Sequence, residues 1–312
     1  MNIAVVGAGI SGLSSAYILT KQGHAVTIIA KDFYPPIVSN KAAAFWFPYH
    51  IRNDKRAIDW CKKSYAFFKE QSINKDIGIS MIKIIKATKV PLLDETTWID
   101  YMPLNTVKEI PTNQLPEGYK RGHEAIVPLI ETQIFLPWLT AQVKQLGATI
   151  IKEEIISLEV LSEKFDCVIN CTALGARDLC NDASVVPVRG QVVLLEPNIV
   201  DSIFIDNQSP AYIVPRKDAT IIGGTYEENI SEATTVKEAL DEILNKAITI
   251  SPDLANKKVI GNWAGLRPFR PEVRLEKEGN IIHNYGHGGS GYTLSFGCAE
   301  EVKKLVSENF KL

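Results

Sequence analysis

A glycine turn wedged between two apolar runs opens the chain and limits what the rest can do. Asn2 to Val6 (NIAVV) is β-branched and apolar, the pattern of a strand buried on both faces of a parallel sheet. Gly7-Ala8-Gly9-Ile10-Ser11-Gly12 follows at once. A helical pattern then runs from Leu13 to Lys21, Gly23 stops it, and Ala25 to Ala30 (AVTIIA) forms a second run. Strand, glycine turn, helix and strand within about 30 residues is the setting in which GxGxxG binds a dinucleotide. Gly7 is expected to allow the tight turn, Gly9 to admit a pyrophosphate to the backbone, and Gly12 to let the helix pack closely. The helix N-terminus then offers N–H groups and partial positive charge to phosphate. A carboxylate at the end of the second strand would hold a ribose hydroxyl. Ala30 occupies that place, and Asp32 is the nearest acid.

The remaining pattern is not a steady αβ alternation. Asp54 to Gln71 reads as a helix. Residues 77–132 break into short strands and loops, punctuated by Pro91, Pro103, Pro111, Pro116 and Pro128. Pro137 to Gln145 reads as a helix with proline in its first turn. Strand-like runs follow at Thr149–Ile151, Cys167–Cys171, Val192–Leu195, Ala211–Val214 and Thr220–Ile222. Thr235 to Thr249 reads as an amphipathic helix opened by a Thr235/Glu238 capping box, and the last helix spans about Thr293 to Asn309. With 312 residues, about two domains are expected. The nucleotide-type strands lie at the start, near 149–171 and near the C-terminus, so the two domains interleave: 1–50, 133–187 and 259–312 against 51–132 and 188–258. The fold class is α/β, a Rossmann-like dinucleotide domain interleaved with a mixed-sheet substrate domain.

A net charge of −2 gives no general pull toward nucleic acid or an anionic membrane. No apolar run approaches the ~18–20 residues of a membrane span, and no basic leader precedes the first strand. Five cysteines, an odd number without a CxxC pair, are not a disulfide framework and suggest a reducing cytoplasmic setting. Five scattered histidines without ligand spacing argue against a metal.

The polar residues that carry chemistry gather near glycines. They fall in Ala42–Tyr49 (AAAFWFPY), Asn170–Ala173, Arg189-Gly190-Gln191, Ala211–Arg216 (AYIVPR) leading to Gly223–Tyr226 (GGTY), Gly265–Glu276 (GLRPFRPEVRLE), and His283–Thr293 (HNYGHGGSGYT). In register over the whole chain, these motifs and VVGAGISGLS resemble the D-amino-acid oxidases. Those are FAD flavoproteins with a p-hydroxybenzoate-hydroxylase-like two-domain arrangement.

The resemblance implies roles at matching positions. Gly7, Gly9, Ser11 and Gly12 would hold the FAD pyrophosphate, and Lys31, Asp32 and Ile155 the adenosine. Ala43, Ala44 and Trp46 would line the isoalloxazine. Gly288, Gly289, Gly291, Tyr292 and Thr293 would run along its pyrimidine edge. Tyr212, Tyr226 and Arg267 match ligands of the substrate carboxylate, and Gly289 or Ser290 would accept from the substrate amine. Dioxygen would be the second substrate, giving hydrogen peroxide, and a homodimer is compatible with the family. A second tyrosine, carried by the mammalian members on a lid, is replaced here by Gln208.

The residue chemistry agrees. A guanidinium offers a planar fork to a carboxylate, phenols add neutral donors, and hydride transfer needs no strong base. Arg270 and Arg274, with Glu272 and Glu276 beside them, read as structural ion-pair residues. Three alternatives remain open at this stage: a flavin dehydrogenase with another electron acceptor, a non-catalytic flavin protein, and an NAD-dependent enzyme. Neutral D-amino acids are expected over D-aspartate. The related D-aspartate oxidases carry an arginine where this chain has Tyr226, and a histidine where it has Tyr49. Arg216 and His50 are the two residues that could supply a cation or imidazole instead.

Overall fold

A computed structural model describes residues 1–51, 55–90, 97–207 and 211–308. Pro91, Gln208 and the predicted helix ends at Asp54 and Asn309 lie outside them. The chain opens as expected: β1 (Asn2–Val6), α1 (Ile10–Lys21) and β2 (Ala25–Ala30). After α2 (Lys55–Gln71), two ten-residue strands, β3 (Ile79–Thr88) and β5 (Arg121–Ile130), replace the short pieces predicted there; β4 (Lys108–Glu109) adds a fragment at their edge. Pro128 is tolerated inside β5 because the strand lies beside a loop there. The Pro128 carbonyl accepts from the Trp46 N–H (2.8 Å), and the Ile130 N–H donates to the Ala44 carbonyl (2.8 Å). Those two bonds lay residues 44–46 along β5, which matters for the site.

Helix α3 (Thr132–Gln145) starts five residues before Pro137, so that proline sits inside the helix and not in its first turn. Next come β6 (Thr149–Lys152), α4 (Leu158–Ser162), β7 (Cys167–Asn170) and α5 (Ala176–Leu179). The middle of the chain is β8 (Val186–Leu195), β9 (Ile203–Asp206), β10 (Ala211–Pro215), β11 (Thr220–Gly223) and β12 (Glu227–Glu228). Helix α6 (Lys237–Ile250) begins after Val236, with no side-chain cap. The predicted capping box does not form, because the Thr235 hydroxyl is bonded to Asn262 Oδ1. The chain closes with β13 (Val259–Glu278), β14 (Ile281–His287) and α7 (Gly291–Glu308).

Among the described residues all the strands join one sheet, in the order β4-β5-β3-β9-β10-β11-β8-β13-β14-β7-β1-β2-β6, with β12 on β8. From β14 to β6 every pairing is parallel. In the rest, all but β3–β9 are antiparallel. Along β1 the side chains alternate between two cores. Ile3 and Val5 pack with α1, α3 and α7, whereas Ala4 and Val6 pack with Leu158 and Leu161 of α4. A strand covered on both faces accounts for the unbroken apolar run in the sequence. Helix α6 covers the antiparallel part through Ile243, Ala247 and Ile250. The twenty-residue strand β13 links the two regimes, pairing with β8 through Val259–Phe269 and with β14 through Phe269–Glu278.

Candidate active site

A chamber of about 1430 Å³ is walled by both regimes of the sheet. Its size exceeds the few hundred to about 1,000 Å³ of an ordinary small-ligand pocket. One end lies outside the carboxyl ends of β1, β2 and β7, where parallel sheets bind their ligands. There Gly7 has φ +111°, and a Cβ on it would lie 2.4 Å from the Cys171 carbonyl oxygen. A Cβ on Gly12 would lie 1.9 Å from the Gly7 carbonyl oxygen, so the turn and α1 close on each other only as glycines. Gly12 itself does not reach the chamber; its place is in this packing. Gly7, Gly9 and Ser11 do line it, as do Lys31, Asp32 and Ile155. The first N–H of α1, from Ile10, donates to Ser39 Oγ (3.0 Å), a partner no sequence motif announces. Lys31 pairs with Glu154 at 3.3 Å, both two-thirds exposed, a surface pair of little energetic weight.

In the middle of the chamber, Ala43 and Ala44 face the N-terminus of α7, where Gly288, Gly289, Gly291, Tyr292 and Thr293 form the opposite wall. Two hydroxyls, Thr293 in the first turn of α7 and Ser290 just before it, hold the segment from Phe47 to Tyr49. Thr293 Oγ1 donates to the Phe47 carbonyl (2.8 Å) and accepts from its N–H (3.1 Å). Ser290 Oγ does the same with Tyr49, at 2.8 and 2.9 Å. The Ser290 side chain is therefore buried and occupied, and it is not part of the chamber wall. Trp46 also departs from expectation. It is fully buried on the far side of its strand-like segment, donating from Nε1 to the Cys61 carbonyl (3.1 Å) and packing on Tyr65. The alternation Phe45-Trp46-Phe47 explains this: neighbours in an extended segment point opposite ways, and Phe45 and Phe47 take the chamber side.

At the other end sit Arg267, Tyr212, Tyr226 and Tyr49. Arg267 projects from β13 over Gly190 of β8, where a Cβ would lie 2.2 Å from its Nη2. One N–H of the fork donates to the Thr225 carbonyl (2.9 Å). Its guanidinium carbon lies 5.8 Å from the Tyr49 ring centre and 6.0 Å from that of Tyr226. The positive charge of Arg267 also acts on the Tyr212 phenol. Burial raises the pKa values of all three phenols, with Arg267 opposing the rise, and Tyr49 is pushed up to about 12. They are neutral hydrogen-bonding groups at any ordinary pH. His50 stacks on Tyr226 at 4.6 Å, and burial, then Arg267, holds its pKa below the usual histidine value.

The neighbouring arginines differ in kind. Arg270 is bonded to Asp182 (2.9 Å), Arg274 to Glu276 and Glu278 (2.7 and 2.8 Å), and Arg189 to Glu227 (2.9 Å). Arg216, which sequence alone left free to enter the site, is buried and bound to Asp218, Glu131, Thr132, Gln133 and the Ala42 carbonyl. No carboxylate of the described residues pairs with Arg267. Lys41, Lys86, Trp98 and Glu228 are among the chamber residues that carried no sequence signal. They come from separate loops and strands with no shared motif. Among the described residues, no cluster of three or more His, Cys, Asp or Glu could hold a metal ion, and no helix is long and apolar enough to cross a membrane.

The family model described as FAD dependent oxidoreductase (DAO) matches residues 2–305. The D-amino-acid oxidase of Dictyostelium discoideum is 34% identical over 99% of this chain and 92% of that protein. The chain belongs to the D-amino-acid oxidase family. A D-aspartate oxidase of Homo sapiens is 30% identical over 98% of this chain and 94% of its own length. In fold alone, the L-proline dehydrogenase of P. horikoshii superposes with a TM-score of 0.87 at 18% identity, covering 99% of this chain and 93% of that one. FAD dependence comes with the family. The chamber suits such a cofactor: glycine turn and helix N-terminus at one end, a half-buried arginine among phenols at the other.

Proposed function

We propose that this D-amino-acid oxidase family member removes two electrons from a neutral D-amino acid, with dioxygen as final acceptor and hydrogen peroxide as product. The imino acid would then hydrolyse to a 2-oxo acid and ammonia. The observation that carries the reading is Arg267, a half-buried guanidinium facing the chamber without a carboxylate from the described residues. A buried charge left unpaired is costly, and a substrate carboxylate is the partner that fits the fork. Tyr212 and Tyr226 flank it as neutral donors. Gly7, Gly9, Ser11 and the start of α1 would hold the FAD pyrophosphate, with Lys31, Asp32 and Ile155 at the adenosine. Ala43, Ala44 and the Gly288–Thr293 segment would bracket the flavin. FAD, when bound, supplies the two-electron acceptor.

This chain's own residues position and do not deprotonate. The phenols are weak acids, and the Gly289 carbonyl would receive the amine. With carboxylate and amine both fixed, only one enantiomer aims its α-hydrogen at the cofactor. The preference for neutral side chains is supported by Arg216, whose fork is filled by Asp218 and Gln133. We further assign 1–50, 133–187 and 259–312 to a cofactor unit and 51–132 and 188–258 to a substrate unit, and place the protein in the cytoplasm. The test is anaerobic addition of D-alanine, L-alanine and D-aspartate to the yellow holoenzyme. Rapid bleaching by D-alanine alone is expected. Equal bleaching by L-alanine would overturn the D-amino-acid reading, and preference for D-aspartate would overturn the neutral one.

A further inference from the structure

His50 stands at the substrate end of the chamber, directly after Tyr49. The Tyr49 backbone is held at both its N–H and its carbonyl by Ser290 Oγ. Past that clamp the chain turns left-handed, with His50 at φ +51°, a conformation histidine adopts more often than most residues. The imidazole stacks on Tyr226, with ring centres 4.6 Å apart and planes at 28°, and meets Tyr49 edge to face at 4.3 Å. The Tyr49 ring centre lies 5.8 Å from the Arg267 guanidinium carbon, so the imidazole centre and that cation are no more than about 10 Å apart. A small dicarboxylate with an ion pair at each end spans such a gap. The residue is exposed, and its ring nitrogens have no hydrogen-bond partner among the described residues.

The charges around this ring decide which side chains can sit beside it. Tyr49 and Tyr226 are neutral phenols. From β13 come Arg267, Arg270 and Glu272, from β12 Glu228, and from β14 His287. Strand β13 bulges between Phe269 and Arg274. There the Arg270 stem crosses Gly286 (φ +85°) and its fork is taken by Asp182 (2.9 Å). Burial pushes the His287 pKa down to about 4, so that ring is neutral. For His50, partial desolvation and then Arg267 oppose protonation, and Glu228 eases it only in part. The ring is therefore neutral at neutral pH and becomes a cation on the acid side of the usual histidine value. With Arg267 occupied by one carboxylate, a second anion nearby would lose hydration without gaining a partner unless another cation is present. We propose that His50 is a specificity-determining residue: as imidazolium it receives the side-chain carboxylate of an acidic D-amino acid whose first carboxylate is on Arg267, and as the neutral ring it does not. The proposal rests on the carboxylate reading of Arg267 and makes the preference for neutral side chains a property of pH.

Two measurements on the holoenzyme test it. Binding of 3-sulfopropanoate and of propanoate to the oxidised protein is followed through the flavin spectrum from about pH 8 to about pH 5.5. Both carry a carboxylate, and only the first carries a further anion, one that stays ionised throughout. Their affinity ratio should rise roughly fivefold toward acid in the native protein. It should stay flat in His50→Phe and be high at both ends of the range in His50→Lys. The ratio of kcat/KM for D-aspartate to that for D-asparagine, substrates of one size, should move in the same way, since the side-chain carboxyl of aspartate is ionised over this range. A flat native ratio, an equal rise in His50→Phe, or no binding of either anion would each overturn the proposal. Should His50→Phe fail to fold, the native profile and His50→Lys still decide. If no D-amino acid bleaches the flavin, the oxidase reading fails by itself, because the binding measurement needs no turnover.

Discussion

Three arginines within eight residues of sequence are told apart by what their side chains meet. Arg267, Arg270 and Arg274 share one motif, and the motif alone gives no reason for different fates. The difference arises at Asp182, far away in sequence, which reaches Arg270, and at Glu276 and Glu278, which take Arg274. Removing one partner of a desolvated charge pair costs about 3–5 kcal/mol. Arg267→Ala is therefore expected to lose on the order of two to four decades in kcat/KM for a D-amino acid while keeping its yellow colour. Near-normal steady-state rates in the flavin-loaded variant would make the arginine structural. Trp46 and Ser290 carry suitable chemistry in a suitable segment, yet strand alternation turns one away and a backbone clamp consumes the other. Both outcomes depend on partners 15 and 241 residues away.

Helices and strands came through best where one periodicity ran uninterrupted, as in β1, α1 and β2. They came through worst where a distant partner set the boundary. Thr235 had a capping box available, but Asn262 on β13 takes its hydroxyl and the helix starts later. The bulge in β13 has Pro271 as its only local hint; its depth depends on Gly286 and Asp182 in other elements. Arg216 plays the opposite part to Arg267. It ties the end of β10 to the start of α3 and to the Ala42 loop, with its own side chain 2% exposed and Glu131 at 4%. Arg216→Met leaves Glu131 buried with its ion-pair partner gone. It is expected to lose about 3–5 kcal/mol, read as a lower urea midpoint at unchanged slope. Arg274→Met, whose carboxylate partners are mostly exposed, should lose under about 1 kcal/mol. Equal shifts in the two variants would contradict this ranking.

At the scale of the whole molecule, the recurrence of nucleotide-type strands at the start, middle and end of the chain was legible, and β14, β7, β1, β2 and β6 pair as one parallel block. A single sheet running through both parts was not legible, since nothing in GLRPFRPEVRLE reveals that one strand serves two neighbours in succession. Pairing β8 along its first half and β14 along its second, β13 couples the two regimes through backbone hydrogen bonds. The expected outcome is one cooperative thermal transition, with tryptophan fluorescence, far-ultraviolet circular dichroism and flavin release coinciding, despite a size at which separate transitions are common. Resolved midpoints would show the halves to be independent. The position of β13 also has a bearing on synthesis. Ribosomes extend chains at roughly 5–20 residues per second, so β8 waits several seconds with one open edge before Val259 is even made. β7 waits longer for β14. The nascent protein therefore leaves the exit tunnel with two unfinished sheet edges, which close only once β13 and β14 have been made.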